Sequence, residues 1–203
     1  MPARRAASPL FYWAGAAGVA AAALLCMATS LDQDLAAFCH AHQRWRGVYQ
    51  LAAAPSLLAL PGAGLILLWA LARRLRGGPP PARVWMAAAL ATLAATAAKD
   101  ELKWAFGRAW PETWLAYGLG GFHPFAESVL YGSFPSGHTA YAAAPLGVCW
   151  ALRPRLRPLW GGTLLLVMAG LVAADYHYLS DVLAGLLTGG VCAWGSLVLT
   201  RRG

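Results

Sequence analysis

Residues 182–199 read VLAGLLTGGVCAWGSLVL, eighteen positions without a charged side chain. A helix of about 20 apolar residues crosses the hydrocarbon core of a bilayer, because each residue adds about 1.5 Å of rise. Within this stretch, Gly185-x-x-x-Gly189 favours close packing against a second helix. Similar apolar runs precede it, and we predict six membrane spans at residues 10–28, 51–71, 84–98, 139–152, 159–174 and 182–199. The sequence therefore predicts an all-α, polytopic membrane helix bundle that forms one domain over residues 1–203.

The composition agrees with a membrane protein. Hydrophobic residues make up 59% of the 203 residues and charged residues only 12%, whereas a soluble domain carries about 25% charged residues. Too few charges are present to cover a soluble surface, which excludes a disordered chain, a secreted disulfide scaffold and a cytosolic enzyme. The four cysteines have neither framework nor metal-ligand spacing, and three of them lie inside apolar runs, where we expect them to pack.

The charged residues predict the orientation of the chain. Six spans place eleven Lys and Arg residues and no acidic residue on one side, and five basic residues with all eight acidic residues on the other. Cytoplasmic loops are enriched in Lys and Arg, so we expect both termini in the cytoplasm. The first span follows Arg4 and Arg5, but it is longer than the apolar core of about 7–15 residues in a signal peptide, and we expect it to remain uncleaved. Basic clusters of this kind reflect topology, so no nucleic-acid partner is expected.

All five histidines fall on the outer side, where the chemistry is therefore expected. Pro135-Ser136-Gly137-His138 has the features of a helix start, with Ser136 as N-cap and a glycine that lets an anion approach free N–H groups. A histidine ordinarily titrates near physiological pH, so we expect that His138 can give or accept a proton there. The alternative is an ordinary N-cap followed by an incidental histidine.

Two further outer segments carry ionisable residues. His177 and Asp181 are four residues apart, a spacing at which a carboxylate can fix the tautomer of an imidazole; the alternative is an aspartate that only caps the next helix. Lys103 and Arg108 end the third span, either as cations for an anionic substrate or as charges that reach the membrane interface. Together these groups suit phosphoryl transfer through a phospho-histidine.

The chain resembles the type 2 phosphatidic acid phosphatase superfamily of six-span lipid phosphatases, whose motifs are K-x6-R-P, P-S-G-H and S-R-x5-H-x3-D. The likeness covers about residues 84–199, with Lys103 and Trp110-Pro111, the intact P-S-G-H, and His177-x3-Asp181 in that order. The resemblance implies that His177 attacks phosphorus, that Asp181 orients it, and that His138 protonates the leaving oxygen and then activates water. It also implies that neither a metal nor another cofactor takes part, and that phosphate is held by Lys103, Ser136 and Gly137.

Two arginines of the family pattern are absent. Trp110 stands in place of the first, and Gly170-Leu171 stand in place of the Ser-Arg pair. Loss of one preorganised donor costs about 2.7–4 kcal/mol of transition-state stabilisation. We therefore predict that Arg108 compensates by reaching the phosphate from another backbone position, with Lys99 as a second candidate.

The resemblance and the topology together predict a phosphatase of the cell inner (plasma) membrane, acting on a phosphate monoester or pyrophosphate of an outer-leaflet lipid. Polyprenyl pyrophosphate, phosphatidylglycerophosphate, phosphatidic acid and the phosphates of lipid A all meet this description. Two alternatives stay open: a phosphotransferase with the same intermediate, and a non-catalytic relative that binds anionic lipids. The aromatic-rich segment 107–134 is either an interfacial anchor or a lid over the headgroup.

Overall fold

The computed structural model describes residues 9–201, and their side chains from residue 14 onward. Arg4, Arg5 and Arg202, on which the prediction of cytoplasmic termini partly rests, lie outside the described residues. Within the described range the chain is helical and forms no strand. The α-helices are α1 Pro9–Ala28, α2 Leu31–Ala41, α3 Arg46–Ala53, α4 Ala59–Leu75, α5 Arg83–Phe106, α6 Pro111–Tyr117, α7 Gly137–Leu152, α8 Arg157–Ala173 and α9 Leu179–Leu199.

Each predicted span falls on helical structure, and the all-α fold class is confirmed. By length and composition, three helical segments can cross a membrane: Gln43–Leu75, Pro154–Ala173 and Leu179–Leu199. A fourth is obtained if Ala14–Ala28 and Leu31–Ala41, which meet at a bend of 76°, form one broken span. Helix α5 is the longest single α-helix, but its last turns carry charges, and α7 has only 16 residues. The count of six spans is consistent with this architecture and stays a prediction.

The centre of the bundle is the contact of α7 with α5 and α9, and small residues make it close. Ala91, Ala95 and Ala144 are fully buried there. A Cβ on Gly185 would lie 2.5 Å from the carbonyl oxygen of Ser136, and one on Gly189 would lie under 3.0 Å from that of Ala140. The predicted role of the Gly-x-x-x-Gly pair in close helix packing is confirmed.

Replacing Gly189 with alanine is expected to destabilise the bundle. The added methyl group meets backbone of α7 that cannot move aside, and overpacking of this kind costs about 1–3 kcal/mol. Gly190→Ala is the matched control, because nothing lies within 4 Å of its Cβ position and alanine favours helix. Thermal unfolding in detergent should show a lower Tm for Gly189→Ala and an unchanged or higher one for Gly190→Ala. Equal Tm values would contradict the close α7–α9 contact.

The bundle brings three chain segments to one end. Gly107 is the C-cap that terminates α5. Its φ of +57° and its contact with the His123 backbone suit only glycine. Helix α7 begins at the same end, and residues 174–178 join α8 to α9 there. Helix α3 packs on α8 and lies beside these three segments. The three motif segments therefore meet around one cavity.

Candidate active site

A cavity of about 450 Å³ lies between the ends of α5 and α7 and the α8–α9 connection. Four of the predicted site residues line it: Lys103, Gly137, His138 and His177. Part of its wall comes from α3 and the 3-10 turn Ala54–Leu58 that follows. The volume and the mixed lining of lysine, imidazole and apolar groups suit the phosphorylated end of an amphiphile.

His177 is 3% exposed and lies at the wall of the cavity. Its Nδ1 is 3.6 Å from Oδ2 of Asp181 and 3.5 Å from the hydroxyl oxygen of Ser133. The same Ser133 hydroxyl donates a hydrogen bond to Asp181, so serine and carboxylate together face one ring nitrogen. Nε2 remains for chemistry. Burial lowers the pKa of His177, although the Asp181 carboxylate opposes this shift, and the ring is therefore neutral at pH 7.

Asp181 caps helix α9 and contacts His177 at the same time. Its Oδ2 accepts a 3.0 Å hydrogen bond from the backbone N–H of Tyr178, the N-cap residue. Its backbone carbonyl accepts a 2.9 Å bond from the N–H of Ser136, which ties the second motif to the third. Helix capping and contact with the histidine were alternatives in the sequence, and one carboxylate provides both.

The start of α7 has the predicted geometry. Ser136 is the N-cap, and its buried hydroxyl accepts a hydrogen bond from the N–H of Thr139 at 3.4 Å. Within the described part of the chain, the N–H groups of Gly137 and His138 have no hydrogen-bond partner. Free N–H groups at a helix start attract anions. Ser136 itself lies behind the cavity wall, and contact between its hydroxyl and phosphate stays a prediction.

Two lysines lie against this helix start. A Cβ on Gly137 would be 2.7 Å from Cδ of Lys99 and 3.7 Å from Cε of Lys103, so both side chains cross the backbone of α7. The Lys103 ammonium donates to the carbonyl of Gly132 and lies 4.7 Å from the centre of the Trp110 ring. Lys99 pairs with the exposed Asp100 and also lines the cavity. The cavity thus places two cations beside free N–H groups.

The structure places Arg108 apart from the residues that line the cavity. Its Nη1 donates to Oδ1 of Asp181 and to the Ser180 hydroxyl, each at 2.6 Å, and its Nη2 donates to Oδ2 of Asp32 at 2.9 Å. Burial opposes the charge, but the carboxylates of Asp181 and Asp32 outweigh it and raise the pKa of the guanidinium. Both terminal nitrogens of Arg108 therefore already donate hydrogen bonds to carboxylates. Contact between Arg108 and phosphate stays a prediction.

Comparison with known proteins identifies the family. A model of the PAP2 superfamily matches residues 83–202. The chain belongs to the PAP2 superfamily. It is similar to the Lipid A 1-phosphatases of Rhizobium etli and Rhizobium johnstonii, each 38% identical over 97 residues. That match covers 48% of this chain but only 40% and 38% of the two relatives, so it spans less than half of their length. No solved structure matches the chain.

The two replaced PAP2 arginine positions both lie at the cavity. The Trp110 ring centre is 5.1 Å from that of His177, and Leu171 is 1% exposed and packs with Val167 and Val182. Both residues are part of the cavity lining. Apolar side chains therefore occupy the two places at the cavity where the family pattern has arginine. Among the charged side chains that the structure describes at this cavity, the cations are Lys99 and Lys103.

Two residues that sequence reasoning missed complete this PAP2 site. Ser133 comes three residues before the N-cap of α7, and nothing in its local sequence marks it. Asp32 follows the first apolar run and looks no different from Asp34, yet it is 2% exposed and joins Arg108. A fully buried carboxylate needs a partner, but burial is visible only in the fold.

Proposed function

We propose that the protein is an integral membrane lipid phosphatase that hydrolyses a phosphate monoester or pyrophosphate of an outer-leaflet lipid through a phospho-histidine at His177. The observation that carries this is one cavity lined by two imidazoles, two lysines and the free N–H groups of a helix start. Membership of the PAP2 superfamily and the names of the Rhizobium relatives support a phosphate on a lipid as the group attacked.

The proposed reaction has two steps. Nε2 of His177 attacks phosphorus, the bond from phosphorus to the lipid oxygen breaks, and His138 gives that oxygen a proton. Water then attacks phosphorus while His138 takes a proton from that water, and the bond from phosphorus to Nε2 of His177 breaks to release inorganic phosphate. Lys99, Lys103 and the Gly137 N–H stabilise the charge that is spread over the phosphoryl oxygens in the transition state.

The distribution of charged residues supports a location and an orientation for the protein. The arginine-rich loops favour an inner-membrane protein with cytoplasmic termini, and the cavity forms at the end of the bundle that carries the histidines and carboxylates. We propose that this end faces the periplasm or exterior. A lipid phosphate then reaches His177 from the outer leaflet while its acyl chains stay in the bilayer.

The test is release of inorganic phosphate by the purified protein from a panel of lipid phosphates in detergent, with chelator present. The panel holds lipid A, phosphatidic acid, phosphatidylglycerophosphate and a polyprenyl pyrophosphate. We expect release from at least one lipid at a rate that chelator leaves unchanged. Transfer of phosphate to an added acceptor lipid without release would favour the phosphotransferase. Binding of lipid by folded protein without any turnover would favour the non-catalytic relative.

The pH profile of kcat/KM should have its acid limb below 6.5, the ordinary pKa of histidine. His177 attacks only when neutral, and burial lowers its pKa in the folded protein, so the nucleophile stays unprotonated as the pH falls below 6.5. The second ionisation of the substrate phosphate, near pH 6, is measured by phosphorus NMR in the same micelles. The values of kcat/KM are then corrected for the fraction of substrate in each ionisation state. A corrected limb well above 6.5 would contradict a buried, neutral His177.

A further inference from the structure

The segment before the PAP2 match contributes a buried carboxylate to the site. Asp32 lies in the first turn of α2, far from residues 83–202 in sequence, and is 2% exposed. Its Oδ1 accepts the backbone N–H of Ser180 at 3.0 Å, and its Oδ2 accepts both the Ser180 hydroxyl and Nη2 of Arg108. These partners adjoin Asp181, because Ser180 precedes it in the chain and Arg108 donates a hydrogen bond to it.

Arg108 connects the two carboxylates. Nη1 faces Asp181 at 2.6 Å and Nη2 faces Asp32 at 2.9 Å, so the planar guanidinium is held from both sides. Tyr178 covers its face, with the ring centre 4.2 Å from Cζ. A guanidinium donates in a fixed fork, and its orientation toward Asp181 is therefore set by the partner on the other nitrogen.

We propose that Asp32 is a positioning residue of the active site, which holds Arg108 against Asp181 and so fixes the carboxylate that faces His177. The inference rests on the proposed function. Without Asp32, the second nitrogen of Arg108 loses its acceptor, and the guanidinium is no longer held in one orientation toward Asp181. Asp181 would then lose its charged partner during the reaction, when the imidazole it orients becomes cationic.

The experiment compares Asp32→Asn with Asp34→Asn in the full-length protein, using the best lipid of the panel. Asp34 lies in the same turn, is exposed, and accepts a hydrogen bond from the hydroxyl of Ser30. We expect kcat to fall by about 10- to 100-fold in Asp32→Asn, the range seen when a residue that orients a functional side chain is lost. KM should stay unchanged because Lys99, Lys103 and Gly137 are untouched. Asp34→Asn should match the wild type in both constants.

A purely structural role predicts a different result. Asp32→Asn would then lower Tm and the yield of folded protein, while kcat per folded molecule stayed at the wild-type value, and this would overturn the proposal. A double variant with Arg108→Gln adds a second readout: if Asp32 acts through Arg108, kcat of the double variant equals that of the worse single variant. Additive losses would also overturn it.

Arg108→Lys serves if Asp32→Asn does not fold, because it keeps the charge but removes the planar fork that joins Asp181 to Asp32. We expect a loss of kcat of several-fold to about 10-fold at constant KM, and wild-type kcat would overturn the proposal. Failure of the proposed function is recognised separately. In that case the wild-type protein itself releases no phosphate, whereas failure of this inference alone leaves the wild type active and Asp32→Asn equally so.

Discussion

His177→Ala is expected to lower phosphate release by at least about 10³-fold. His177 is the imidazole whose Nδ1 faces Asp181 and whose ring lines the cavity, and loss of a nucleophile removes the covalent route altogether. Lipid binding should persist, because both lysines and the helix start remain. The measurement is initial-rate phosphate release with the preferred lipid, together with lipid binding to the same preparation.

His42→Ala is the matched control for this loss. His42 is an exposed histidine that stacks on Phe38 and bonds its carbonyl, outside the cavity lining. It should retain the wild-type rate. His177→Ala should also keep the wild-type Tm, because Asp181 keeps its hydrogen bonds to Arg108, Ser133 and Tyr178 in that variant. Substantial phosphate release by folded His177→Ala would contradict His177 as the nucleophile.

Removing both lysines of the cavity is expected to give the second large effect. Lys103→Met should lower kcat/KM by about 10²- to 10³-fold, the cost of one preorganised charged donor. Lys99→Met should cost about 10-fold, because the Lys99 ammonium is already paired with the exposed carboxylate of Asp100 and offers less of its charge to the phosphate. The double variant should approach background, since no arginine lines this cavity to replace the lost cations within the described chain.

The control for the lysines is Arg44→Met, which removes one exposed cation that lies 5.7 Å from the centre of the Trp45 ring and outside the cavity lining. It separates loss of a headgroup contact from a general loss of attraction between a basic protein and anionic micelles. Rates are compared at two salt concentrations. A Lys99→Met protein with wild-type kcat/KM would show that Lys99 is an interfacial charge, and the phosphate would then be held by Lys103 and the helix start.

The helices and the cavity were predictable because their signals are local. Apolar runs placed the helices, and Pro135-Ser136-Gly137 placed the start of α7 through the chemistry of an N-cap. The glycines of α9 predicted close packing against another helix, and the structure shows that this helix is α7. The motif residues Lys103, Gly137, His138 and His177 line one cavity, because the alternating direction of the helices brings them to the same end of the bundle.

The ion-pair network was not predictable, because it depends on contacts between distant residues. The position of Arg108 in the sequence, beside the first motif, suggests a phosphate ligand. Its partners Asp32 and Asp181 are 76 and 73 residues away along the chain. Asp32 and Asp34 share one turn of α2, and the direction of that helix relative to α9 decides which is buried. A fold is needed to know that direction.

The most direct measurement is capture of the covalent intermediate. The protein is mixed with its preferred lipid carrying ³²P in the phosphate, quenched in alkali to preserve phosphoramidates, and digested for mass spectrometry. We predict a label on the peptide that holds His177, stable to alkali and labile to acid, and absent from His177→Ala. Label on another residue, or turnover of the lipid in a single-turnover experiment with no labelled protein at any time point, would contradict the account.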